Sequence, residues 1–217
     1  FLLDTGVKAN LLFSKTMGDS LGLTYTRRVG MVGADGSTTV WARVSPTNTL
    51  DLGGVEGRLQ SLLVLEEDFL ELEAVLGLPV YGILGHEFFK YNAVKIDYDQ
   101  AIITFYQPEG LAWKPPFYRR LTLQVEDGKA YIYVKVHQME GATIKAKVLV
   151  DTGANHGLLL NQETSSEIKL PEQRIETQLG QSLGGVLYGQ LGRVERLSMR
   201  GLTFQQVITS YPEPSTF

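Results

Sequence analysis

Apolar residues run through this chain in short blocks that alternate or cluster over a few positions, the pattern of strands rather than of long helices. Val94–Tyr98 and Ala101–Phe105 flank Asp99-Gln100 as the two arms of a hairpin. Ala130–Val136 alternates cleanly, Glu140-Gly141 turns the chain, and Thr143–Val150 returns as a second strand. Glu66–Val75 has the best helical pattern. Its acidic start, Glu66-Glu67-Asp68, would complement the dipole of an exposed helix. Lys114-Pro115-Pro116 breaks any regular element and reads as a linker. Tyr91, Tyr98, Tyr131 and Tyr133 fall at strand-like spacing and are expected to pack. The predicted class is mostly β with a few short helices.

One stretch of this pattern occurs twice. Asp4-Thr5-Gly6 returns as Asp151-Thr152-Gly153, 147 positions later. At the same offset Leu2 and Leu3 meet Leu149 and Val150, and Leu11, Leu12 and Phe13 meet Leu158, Leu159 and Leu160. Ser14 meets Asn161, both good helix N-caps, and Leu21 and Leu23 meet Ile168 and Leu170. Leu50-Asp51-Leu52 aligns with Leu197-Ser198-Met199, and Gly54-Val55 with Gly201-Leu202. A register held without a gap over such a span reads as an internal duplication. Counterparts of residues 129–150 and of Gly82–Gly85 would fall outside the chain, so a trimmed form of a longer protein is expected.

Composition narrows the chemistry. The net charge is −4 and no basic block occurs, which argues against nucleic acid as a partner. With no cysteine, thiol nucleophiles, disulfides and Cys-ligated metals are excluded. No apolar run is long enough to span a bilayer, and no signal-peptide pattern opens the chain. His86-Glu87 lacks the second histidine of a zinc-protease helix. His137 and His156 read as solvent-facing or structural, with His156 close enough to the second Asp-Thr-Gly to reach the rim of a cleft.

Two related lobes, each presenting one carboxylate from an identical turn, bring Asp4 and Asp151 together at a pseudo-twofold axis. Two adjacent carboxylates cannot both ionise cheaply, so the pair keeps one proton over a wide pH range. The charged member can take a proton from a water attacking a peptide carbonyl, while the protonated member hydrogen-bonds the carbonyl oxygen. This chemistry needs no metal, cofactor or covalent enzyme intermediate. Thr5 and Thr152 are expected to hydrogen-bond across the lobe interface. Gly6 and Gly153 permit the tight turn and bring amide N–H groups to the carboxylates.

Asp-Thr-Gly after two apolar residues, a later Ile83-Leu84-Gly85 and the duplication together resemble the pepsin and retropepsin-like aspartic proteases. The stretch from Gly82-Ile83-Leu84-Gly85-His86-Glu87-Phe88-Phe89 to Ile96-Asp97-Tyr98 is most similar to bacterial two-lobed retropepsin-like proteins. The resemblance implies a bilobal acid-protease fold of two pseudo-symmetric, β-barrel-like lobes, near residues 1–112 and 118–217. It implies an aspartic endopeptidase acting on an extended peptide or unfolded protein. It further implies export to the periplasm, cell surface or medium, and a PDZ domain or partner chain beyond these residues.

The chain also departs from the family pattern. Val7-Lys8 and Ala154-Asn155 stand where pepsin-like enzymes commonly carry a small hydroxyl residue, and an inward Lys8 would perturb the pair. No flap tyrosine is evident in the first repeat. The best flap segment there is Val29–Gly36, with Gly30, Met31, Val32 and Gly33 at its heart and Trp41 just beyond; in the second repeat it is Gly184–Gly189, with Tyr188. Glycine there suits a covering hairpin that must move. Two rival functions accompany the protease: a catalytically inactive peptide-binding module of the same fold, and an assembly domain completed by strands of another chain.

Overall fold

A computed structural model describes residues 1–32, 38–68, 70–110 and 118–214. The protein is mostly β and two-lobed. The first lobe contains β1 (Leu2–Leu3), β2 (Asn10–Leu12), β3 (Arg27–Val32), β4 (Thr39–Asp51), β5 (Glu56–Leu65) and β6 (Gly82–Leu84), in the sheet order β1-β6-β2-β5-β4-β3. β7 (Ala93–Asp97) and β8 (Ile102–Tyr106) form a separate hairpin, within a residue of the expected arms. The second lobe contains β9 (Gln124–Glu126), β10 (Lys129–His137), β11 (Thr143–Leu149), β12 (Leu158–Leu159), β13 (Ile175–Ser182), β14 (Gly185–Met199) and β15 (Leu202–Pro212). Its sheet runs β11-β10-β14-β15-β12, with β13 paired to β14 and β9 to β10.

The strand period sets the cores. In β10, Ile132, Val134 and Val136 are buried and join Ile144, Leu158 and Val194. In the first lobe Val40 and Ala42 alternate inward from β4 to meet Leu11, Phe13, Leu65 and Ile83. Moved by 147 residues, β3, β4 and β5 fall on β13, β14 and β15 with ends differing by at most three positions. Both lobes therefore use the same three-stranded meander. Both also pair the strand after the Asp-Thr-Gly turn in parallel with its last strand, Leu11 with Leu63 and Leu158 with Thr209.

The expected caps take their places. Ser14 Oγ accepts the Met17 N–H at the start of α1 (Lys15–Ser20), and Asn161 Oδ1 accepts the Glu163 N–H at a single 3₁₀ turn. The helix expected over Glu66–Val75 is shortened to α2 (Leu72–Leu76). Glu66 leaves β5 to meet Arg28 and Arg43, and Asp68 Oδ1 accepts the N–H groups of Leu70 and Glu71, folding a tight turn in place of a helical one. A third helix, α3 (His86–Phe89), follows β6.

The tyrosines correct a second expectation. Tyr91 and Tyr98 are 67% and 80% exposed. Tyr131 and Tyr133 occupy the outer face of β10, because the intervening residues take the core. There the Lys147 and Lys145 ammonium groups sit 4.7 and 4.3 Å from their ring centroids. The proline linker at Lys114-Pro115-Pro116 lies outside the described residues. Among the described residues no helix is long and apolar enough to cross a membrane.

Candidate active site

The two Asp-Thr-Gly turns meet, and they interlock. Thr5 Oγ1 donates to Val150 O at 2.7 Å and accepts the Thr152 N–H at 3.1 Å. Thr152 Oγ1 donates to Leu3 O at 2.8 Å and accepts the Thr5 N–H at 3.2 Å. Each hydroxyl thus holds the backbone on either side of the opposite aspartate. Within each turn the glycine amide returns to its own aspartate: Gly6 N–H to Asp4 Oδ1 at 2.7 Å, Gly153 N–H to Asp151 Oδ1 at 2.8 Å.

The glycines also make room. A Cβ on Gly6 would stand 2.5 Å from Asp151 Oδ2, and one on Gly153 would stand 2.4 Å from Asp4 Cγ. Each carboxyl therefore rests on the bare backbone of the other lobe's turn. Asp4 is 8% exposed. Burial, the charge of Asp151 and a hydrogen bond to its carboxyl push the Asp4 carboxyl up to about 7, against the opposing N–H groups of Gly6 and Val7. The pair holds one proton into the neutral range.

A second turn supports the first aspartate from behind. Asp4 N–H donates to Leu84 O, which places Ile83-Leu84-Gly85 directly against the first Asp-Thr-Gly turn. Gly85 allows a close approach, since a Cβ there would stand 2.4 Å from Ala9 O and 2.6 Å from Val7 O. Asn10, wholly buried, fixes it: Oδ1 accepts the Gly85 N–H at 3.0 Å and Nδ2 donates to Gln60 Oε1 at 3.2 Å. The start of α3 completes the clamp, with His86 and Glu87 N–H donating to Val7 O and Lys8 O. Sequence reasoning singled out Gly85 and missed Asn10, because an asparagine after a turn carries no mark of burial.

Lys8 points away from the carboxyl pair. Its Nζ lies 2.5 Å from Asp127 Oδ1 in the exposed β9–β10 turn, so the concern about an inward cation is answered by an outward salt bridge between lobes. His156 turns the other way, half-buried, with Nδ1 2.8 Å from Ser210 Oγ. Burial lowers its proton affinity and the Asp151 charge partly restores it.

The flap candidates lie on two hairpins. In the first, Gly30, Met31 and Val32 on β3 pair with Trp41, Val40 and Thr39 on β4; Gly33 and the turn lie outside the described residues. The Arg28 guanidinium lies 3.9 Å from the Trp41 ring centroid and, with Arg43, grips Glu66, whose carboxyl is held below its ordinary range chiefly by the Arg28 hydrogen bond. The second hairpin, β13–β14, turns at Leu183-Gly184, and Tyr188 sits on its outgoing strand opposite Gln178. Leu183 crosses to the other lobe and packs against the first lobe's core. Among the described residues no three His, Asp or Glu side chains converge as metal ligands.

No curated protein matches the chain. The family described as aspartyl protease matches residues 1–88 and 134–215, spans that contain both Asp-Thr-Gly turns, both hairpins and Ile83-Leu84-Gly85. This chain belongs to the aspartyl protease family.

Proposed function

We propose that the protein is an aspartic endopeptidase, with Asp4 and Asp151 as its catalytic pair and residues 1–112 and 118–217 as its two lobes. The reading rests on the braced pair itself: two carboxyls backed by each other's glycine turns, with the Asp4 proton retained to about 7. A water between the carboxyls loses its proton to the charged member as its oxygen attacks the peptide carbonyl carbon. The protonated member donates its proton to the carbonyl oxygen, so the tetrahedral intermediate forms without a separated charge. Collapse of that intermediate breaks the C–N bond, and the pair passes a proton to the leaving amine. The amide donors of Gly6 and Gly153 keep each carboxyl aimed while charge moves between them. Thr5 and Thr152 hold the two turns in register.

The substrate is an extended peptide or unfolded segment lying between the pair and the hairpins β3–β4 and β13–β14, where strand-like backbone hydrogen bonds hold it. Export from the cytoplasm and a neighbouring PDZ domain belong to this proposal on the strength of the family resemblance alone. The test is cleavage of an unfolded protein and a peptide library from acid to neutral pH, with Asp4→Asn and Asp151→Asn in parallel. Turnover abolished by either substitution, with the fold retained, is the expected result. A folded wild type that binds peptides and cuts none would instead identify a catalytically inactive binding module.

A further inference from the structure

The outer face of the second lobe's sheet is basic, although the chain carries a net charge of −4. Between the buried positions of β10 stand Tyr131, Tyr133, Lys135 and His137, and between those of β11 stand Lys145 and Lys147. Lys135 lies directly opposite Lys145 in the β10–β11 ladder, and His137 lies opposite Arg196 in the β10–β14 ladder. Like charges facing each other across a sheet repel. Among the described residues no carboxylate pairs with Lys135, Lys145 or Arg196, and Lys147 alone of the four has an acidic partner, Glu126. Arg196 gives one N–H to His137 Nδ1 at 3.1 Å, while its buried Nε has no acceptor among the described residues.

Edge protection accounts for only part of this. β11 is the last strand of its sheet, and lysine on an edge strand deters unwanted pairing. That purpose asks nothing of Lys135 on β10 or of Arg196 on β14, which lie inward from the edge. Nor does the fold demand Arg196, because its counterpart in the first lobe, 147 positions earlier, is Thr49. The tyrosines hold the cations over the sheet. The Lys145 and Lys147 ammonium groups lie 4.3 and 4.7 Å from the Tyr133 and Tyr131 ring centroids, so they range less freely through solvent. Along β11 these two lysines recur at ~6.8 Å, the interval at which alternate side chains of any extended peptide recur. Among the described residues no strand pairs with the outer edge of β11.

We infer that β11 and the basic face behind it dock an extended acidic segment of another polypeptide, which joins the sheet as an added strand. The backbone of that segment pairs with the open edge of β11. Its carboxylates, at alternate positions, meet Lys145 and Lys147, and Lys135 and Arg196 deepen the positive field that draws them in. The open edge favours a polypeptide over a lipid surface or a phosphate chain, since neither of those supplies strand hydrogen bonds. The inference stands apart from the hydrolytic reading, because none of these residues belongs to the carboxyl pair or its turns.

The test uses a fluorescent peptide of alternating Glu and Val, and a second with Gln in place of Glu. Binding is read by fluorescence anisotropy with the full chain carrying Asp4→Asn, so that cleavage does not interfere. Hydrogen exchange follows the amides of β11, and circular dichroism follows folding. The Glu peptide is expected to bind more tightly than the Gln peptide and to slow exchange within Thr143–Leu149. Lys135→Gln with Lys145→Gln should weaken that binding about fivefold. Arg196→Thr, which installs the first lobe's residue, should weaken it too and keeps the test alive if the lysine variant fails to fold. Equal binding of the two peptides, or undiminished binding in the folded variants, overturns the inference. So does binding of the Glu peptide without protection of β11, which would mark a charged surface and no added strand. Vesicles of phosphatidylglycerol and phosphatidylcholine form a separate arm. Capture of the protein by these vesicles through the same lysines, with no binding of the Glu peptide, would overturn the inference in favour of a membrane surface.

Discussion

Replacing Asp4 with asparagine should stabilise the protein at neutral pH while it abolishes turnover. In the folded protein the Asp4 carboxyl holds its proton to about 7, against an ordinary value of 3.8. Below about pH 4 folded and unfolded chains both carry that proton, and it contributes nothing to the pH dependence. Between about pH 4 and pH 7 the folded state keeps a proton that the unfolded chain has released, so stability falls as pH rises. Above about pH 7 both states are ionised and the loss is complete. Three units at ~1.4 kcal/mol each set a ceiling of about 4 kcal/mol. The carboxamide of the Asp4→Asn variant cannot ionise, and its oxygen can still accept the Gly6 N–H that Asp4 holds at 2.7 Å. We expect Asp4→Asn to exceed wild type by about 2–4 kcal/mol near pH 8, with the gain vanishing towards pH 4. Urea denaturation of both proteins across this range measures it, and the difference between the curves cancels the groups that do not interact with the Asp4–Asp151 pair. A variant less stable than wild type near pH 8, or a difference independent of pH, would refute the argument.

The interlocked threonines and the bare glycines carry their own expectations. Thr5→Val removes a hydroxyl that serves Val150 O and the Thr152 N–H, leaving a carbonyl and an amide unpaired between lobes. A loss of about 2–4 kcal/mol is expected. In a chain of this size it lowers Tm by roughly 5–15 °C; a shift no larger than that of the exposed control Thr203→Val would show that the bridge is idle. Gly153→Ala would put a methyl 2.4 Å from Asp4 Cγ and displace that carboxyl. Peptide cleavage should fall by about a hundredfold or more with the fold intact, and near-wild-type turnover would mean that the turns do not face each other as described.

What could be read from the chain was whatever depends on local period. The alternation in Ala130–Val136 placed three core residues of the second lobe, and the Asp99-Gln100 turn placed β7–β8 within a residue. Identical turns in a repeated frame announced that the two aspartates belong together, because such a pairing follows from symmetry alone. The rest depends on partners distant in sequence. Glu66 looked helical among leucines and acids, yet Arg28 and Arg43 arrive from neighbouring strands to hold it at a strand end. Lys8 looked threatening until Asp127 appeared in the other lobe's turn. Asn10 and Ser210 gave no signal, since a buried polar side chain is recognised by what it touches. The tyrosines were misread because spacing of two places residues on one face of a strand without saying which face meets solvent.

The threonine bridge bears on when the proposed proteolytic site can form. Each hydroxyl finds its donor and acceptor only in the opposite lobe, and each carboxyl is backed by the opposite glycine. The first lobe emerging from a ribosome carries one aspartate without its neighbour, and so lacks the shared proton on which the proposed hydrolysis depends. The proposed site is assembled only when the second turn docks, after residues 1–153 have been made. Until then the unfolded stretches of the nascent protein, the very material such a site would cut, meet no finished site of their own.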